Sequence, residues 1–211
     1  MRMSVVFPAA IMTCVAAIAR AEDCSRLDGQ RLSYTLGAVL TQAAGELPLT
    51  IEATRTDIVI VRLRSRDGAV DQLTELRNFV PERSLNGATG ETQTFSIRPV
   101  QGSLGGFEVG AEASYEQTSL VNGKPTRTES VAQKVTGETT REVSGCGIRT
   151  LRIERLFEDK ATGAKRKQEF DYAPALGYPL WTRIETQTPG GSAVQTIEVK
   201  SLELPPMSKS R

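Results

Sequence analysis

A period of two runs along most of this sequence, and it confines the chain to strands. From Phe107 to Tyr115 the odd positions are Phe107, Val109, Ala111, Ala113 and Tyr115, while Glu108, Gly110, Glu112 and Ser114 fill the even ones. Side chains alternate between the two faces of a strand, so this spacing sets an apolar face on a core and a polar face in water. Asn122-Gly123 follows. It is the pair that best suits a two-residue hairpin, whose central positions need positive φ. A Thr-rich return strand is expected from about Thr126 to Val135. The C-terminal third repeats the pattern: strands at Ile148 to Phe157, Arg166 to Tyr172, Leu180 to Thr188 and Ala193 to Leu204, with turns at Asp159 to Gly163 and at Pro189-Gly190-Gly191. In the last of these strands Ile197 and Val199 share a face.

The first half is less regular. Leu49 to Ala53 and Ile58 to Leu63 read as strands, Gly37 to Ala44 and Val70 to Phe79 as strand or short helix, and Arg83 to Gln93 as a loop rich in Gly, Asn, Thr and Ser. Strands joined by short turns make an antiparallel meander. The fold class expected is therefore mainly β, a curved antiparallel meander sheet or half-barrel with little helix beyond a signal peptide.

That signal peptide is read from Arg2, the apolar stretch Ser4 to Ala19 interrupted by Pro8, and the small-x-small site Ala19-Arg20-Ala21, with cleavage before Glu22. Sixteen residues are short for a span, which needs ~20. A lipid anchor on Cys14 is the weaker reading, because Met12 and Thr13 precede it instead of small residues. The domain organisation expected is a signal at 1–21, one β-rich domain at 22–204, and a disordered tail at 205–211 after Pro205-Pro206. The mature chain is expected in the periplasm, or secreted, with no transmembrane span.

Composition excludes much chemistry. The 211 residues contain no histidine, which removes Ser-His-Asp and Cys-His nucleophiles and imidazole-bound zinc. A formal charge of +1 gives no electrostatic reason to bind nucleic acid. No calcium loop, phosphate-binding loop or dinucleotide fingerprint occurs, so no metal and no cofactor are expected. Glu108, Glu112 and Glu116 share a strand face as a paired-carboxylate hydrolase would require, yet any solvated strand face has that spacing. Lys165-Arg166-Lys167 reads as a solvated turn among acids. No catalytic residues are assigned, and no enzyme is expected. An outer-membrane barrel is also set aside, because Thr126 to Lys134 is polar on both faces and the C-terminus lacks an aromatic.

Cleavage leaves two cysteines, Cys24 and Cys146. In an oxidising compartment an even pair reads as a disulfide, here pinning the N-terminus beside the strand that starts near Ile148. One further segment is distinctive, Phe170 to Trp181, with a turn at Pro174 and Gly177 flanked by Tyr172, Tyr178 and Trp181. It reads as a packed corner of the sheet or, alternatively, as a ligand-contacting loop. This Tyr-Ala-Pro-x-Leu-Gly segment, with Val143-Ser144-Gly145-Cys146-Gly147 before it, resembles the closing part of uncharacterised bacterial periplasmic proteins of unknown function. The resemblance covers Glu138 to Leu204. It implies an envelope protein on a curved antiparallel sheet and transfers no catalytic residue.

The function expected from all this is non-catalytic: binding an apolar ligand such as a lipid, or assisting lipid or lipoprotein handling in the envelope. The alternatives are a structural or interaction module that offers a sheet edge to an envelope protein, and a carboxylate-based hydrolase.

Overall fold

The computed structural model describes the backbone of residues 38–42, 48–53, 58–64, 70–77, 80–87, 89–188 and 191–203, with side chains chiefly from 80 to 199. The signal segment 1–21, Cys24 and the tail 205–211 lie outside the described residues. Twelve strands follow in order: β1 (Ala38–Gln42), β2 (Pro48–Ala53), β3 (Ile58–Arg64), β4 (Val70–Arg77), β5 (Val80–Asn86), β6 (Thr92–Gln101), β7 (Glu112–Val121), β8 (Lys124–Val143), β9 (Cys146–Asp159), β10 (Lys165–Ala173), β11 (Tyr178–Thr188) and β12 (Gly191–Glu203).

Each strand pairs antiparallel with its successor, and there is no helix among the described residues. The expected meander is what forms. β4 to β12 make a continuous nine-strand sheet, and the backbone pairing of β3, β2 and β1 carries it further than half a barrel. β1 lies against β12 with Val39 opposite Glu203, so the ring closes. Both segments left open between strand and helix, in β1 and β4, are strands.

Local chemistry explains the turns. Asn122 and Gly123 take φ of 49° and 78° between β7 and β8, as a type I′ hairpin demands. After β9, Asp159 Oδ1 accepts hydrogen bonds from the backbone of Ala161 and Thr162, and Gly163 closes the turn at φ 69°.

Several strand boundaries differ from the sequence reading: β7 continues past Tyr115 to Val121, and β8 runs past Val135 to Val143. Residues 107–111 are not strand, because Gly110 takes φ 91° and donates to the Val135 carbonyl while Ala111 donates to that of Glu108. Val109 is consequently exposed instead of facing the core, and β7 starts at Glu112. The expected loop from Arg83 to Gln93 is shorter too: Arg83 to Asn86 belong to β5, and Thr92 opens β6. From Arg83 to Gln93 only Leu85 and Ala88 are apolar, which hid the strand ends there from an apolar-period test.

Register arranges the inward side chains in rows across the sheet. Leu151 lies beside Tyr172, and Val135, Ile153 and Phe170 form the next row, all buried. Burying each such side chain contributes about 1.5–3 kcal/mol. The β6–β7 connection folds back on this end, stacking Phe107 on Tyr172 with ring centroids 4.8 Å apart. The β10–β11 turn adds Ala175 and Leu176 to the same cluster.

Outward rows are charged. Glu112, Lys134, Glu154, Glu169 and Arg183 stand side by side from β7 to β11, with Lys134 2.7 Å from Glu112 and Lys167 3.1 Å from Glu154. A lipid-facing barrel carries an apolar band there, since Lys or Arg at the bilayer midplane costs about 2–4 kcal/mol.

At Gly102 the chain cannot accept a side chain. A Cβ there would stand 2.1 Å from the Glu112 carbonyl oxygen, and φ is already +70°. Gly102→Ala should therefore destabilise by about 2 kcal/mol or more, lowering Tm by roughly 4–8 °C. Gly137 has open space at its Cβ position, so Gly137→Ala should melt within about 2 °C of the parent, and differential scanning calorimetry of the pair checks both.

Candidate functional site

The residues singled out in the β10–β11 corner do not converge. Tyr172 is buried on the inward face, whereas Trp181 pairs with Asp171 on the opposite face. Pro174 and Tyr178 are half-buried, and Gly177 closes the turn at φ 66°, donating to the Ala173 carbonyl at 2.9 Å. Asp171 is fully buried. It accepts from Arg152 Nε at 2.9 Å and from Arg141, and both guanidiniums lie over the Trp181 ring at 5.9 and 5.1 Å. This half of the corner is an ion cluster in which two partly exposed guanidiniums share one buried carboxylate. Cys146, buried at the start of β9, belongs to the neighbouring apolar cluster.

A different region of the interior is polar. Toward the end of the barrel carrying the β7–β8 and β9–β10 turns, the inward rows become polar. Ala113, Gln133, Arg155 and Gln168 make one row, Tyr115, Val131, Phe157 and Arg166 the next, and Gln117 with Glu129 the third. Gln117, Glu129, Arg155, Phe157, Arg166 and Gln168 of these rows line a chamber of about 390 Å³, within the size range of small-molecule sites. Arg155, 3% exposed, donates from Nε to Gln133 Oε1 at 2.7 Å and lies 5.5 Å from the Phe170 ring. Arg166 lies over Phe157 at 4.2 Å and donates from Nη2 to Glu129 at 3.3 Å. Glu129, also 3% exposed, is shared with Arg127 at 2.9 Å, and Arg127 reaches Asp159 with its Nε.

Burial lowers the guanidiniums of Arg155 and Arg166 from their ordinary value, though arginine stays charged in proteins. Burial likewise pushes the Tyr115 phenol up, with the Arg155 charge opposing it, so the hydroxyl is a neutral donor. Two buried donors in this region have no acceptor, Tyr115 Oη and Arg166 Nε. Such a group costs about 1–3 kcal/mol where it stays unsatisfied.

The carboxylates considered for hydrolysis are elsewhere. Glu108 precedes β7, Glu112 is exposed beside Lys134, and Glu116 is bridged by Lys160 and Arg98. Hydrogen bonds from those partners hold Glu112 and Glu116 below the ordinary carboxylate range, whereas a general acid needs the opposite shift. A second depression of about 620 Å³ is lined by Ser114, Ala132, the exposed Leu156 and Val100, with Lys160, Lys165 and Glu158 beside them, and Tyr115, Phe157 and Arg166 also border it.

Arg166 corrects the reading of Lys165-Arg166-Lys167 as a solvated turn. All three residues are on β10, so alternation sends Lys165 and Lys167 outward and Arg166 into the barrel. The chamber escaped the sequence analysis, yet a signal was present. Gln117 continues the face of Ala113 and Tyr115, Gln133 stands between Val131 and Val135, and Arg155 stands between Ile153 and Phe157. Each is a polar residue at a core-facing position.

Fold and site together define a closed antiparallel meander whose interior is apolar at one end and an arginine-lined chamber at the other. No family model and no curated protein matches the chain. Among solved structures it is similar to the hypothetical lipoprotein YmcC from Escherichia coli (K12), with 13% sequence identity, 88% of this chain and 97% of that chain covered, and a TM-score of 0.47. No helix among the described residues is long and apolar enough to cross a membrane.

Proposed function

We propose that this chain is a non-catalytic binding protein of the cell envelope that holds a small ligand inside its barrel. The observation that carries the reading is the chamber itself: polar side chains from four adjacent strands face a cavity where a sheet of this kind would otherwise pack apolar ones. The ion-paired, outward placement of Glu112 and Glu116 weighs against a hydrolase. Pairing of β1 with β12 weighs against strand addition at a free edge. An apolar ligand, expected from the sequence, has one observation in its favour, the outer depression with Leu156 and Val100 on its surface.

Native mass spectrometry of the protein purified from its own envelope tests the proposal. A bound small-molecule mass that disappears on denaturation is the expected result. A retained lipid would move the site to the outer depression, and a clean mass would turn the reading toward an interaction module.

A further inference from the structure

We propose that the depression around Leu156 is the contact face of a symmetric dimer, its occupant a second copy of this chain. The proposal stands apart from the chamber, since it concerns the outward side of β7 to β10. Among the described residues the exposed large apolar side chains are Val100, Val109, Leu156 and Val194, and three of these fall along one outward row. Register sets Ser114, Ala132, Leu156 and Lys167 side by side from β7 to β10, followed by Glu185 and Val194, while Val100 sits in the bulge beside Ser114. Leu156 is 54% exposed and its neighbours Ala132 and Ser114 are small, so a projecting apolar side chain stands next to a hollow on the same face. The hollow continues past Ala132 and Ser114 toward Gln101, Glu112 and Lys134.

Shape and charge together favour a second copy as the occupant. A two-fold contact brings the same patch of both subunits together, residue i on j and j on i. An axis running along the strands, midway between β8 and β9, sets Leu156 of each copy over Ala132 of the other, a knob in a hollow twice over. The same operation sets Lys134 over the other copy's Glu154 and Lys165 over its Glu116, pairs of opposite sign that each occur twice. The like-charged pair, Glu112 with Glu169, falls at the corner, where Lys134 holds the first and Lys167 and Arg183 hold the second. An anionic lipid has less to recommend it. Lys160, Lys165 and Lys167 around the depression are matched by Glu116, Glu158 and Glu185, so the rim carries no excess positive charge for a head group.

The test is sedimentation velocity of the full mature chain over a concentration series of about 1 to 100 μM, in which a monomer–dimer equilibrium is expected. Leu156→Arg should weaken association about tenfold or more, yet leave Tm at the dilute end within about 2 °C, because the side chain is exposed in the monomer. A charge swap tests the symmetry. Lys134→Glu sets like charges against Glu154 of the other copy, and Glu154→Lys sets them against its Lys134, so each variant should self-associate about tenfold more weakly than the parent. Mixed in equal amounts the two variants should dimerise again, because opposite charges then face each other at both positions. This arm keeps the test decisive if Leu156→Arg folds poorly. A parent chain that stays monomeric throughout the series would overturn the proposal, as would a dimer indifferent to Leu156→Arg or to the single swaps, or a mixture that remains monomeric. A monomer that instead retains a lipid, lost in Leu156→Arg, would overturn it too and make the depression a lipid site.

Discussion

Asp171→Asn should lower Tm by roughly 6–12 °C and change the emission of the only tryptophan in the chain. Asp171 has no exposed surface, and its carboxylate is shared between Arg141 and Arg152 on neighbouring strands. The amide keeps the shape and removes the charge, leaving two guanidiniums facing each other over Trp181. Breaking a buried ion pair by removing one partner costs about 3–5 kcal/mol. Here the lower end, about 3 kcal/mol, applies, because the arginine side chains are 28% and 46% exposed and water screens them. Trp181 supplies the local probe: its spectrum should shift even where the barrel as a whole remains folded. A variant that melts with the parent and emits like it would show that the cluster contributes nothing to stability.

Reducing the expected bridge between Cys24 and Cys146 should have the larger effect. A cross-link enclosing 122 residues between positions 24 and 146 restricts the unfolded chain by about 4–5 kcal/mol in the chain-entropy model, a fall in Tm of about 10 °C or more. Cys146 is buried beside the turn formed by Ser144 and Gly145, both at positive φ, and Gly147 leaves room on its other side. The strands should survive reduction, since the apolar rows from Leu151 to Phe170 do not depend on the cross-link. Far-ultraviolet circular dichroism through a melt, with and without reductant, separates these two outcomes. Two alkylatable thiols in exported, denatured, unreduced protein would end the disulfide assignment.

Local chemistry in the sequence determined the strands and several of the turns that join them. Asn122-Gly123 and Asp159 to Gly163 are turns in the structure because their φ angles and side-chain hydrogen bonds depend on neighbours within a few residues. Alternation found β8 to β12 for the same reason: face is a property of position parity along one strand. It failed at 107–111, where the pattern continues but Gly110 turns the backbone, and at Arg83 to Asn86 in β5, where Leu85 is the one apolar residue. What the tertiary structure alone decided was which distant positions meet. Closure brings Val39 beside Glu203, and no local pattern encodes a pairing across more than 160 residues. The chamber is of the same kind. Arg155, Arg166 and Glu129 are ordinary charged residues one strand at a time. They come together because register sets β8, β9 and β10 side by side and the twist of a closing sheet turns those three side chains toward one cavity.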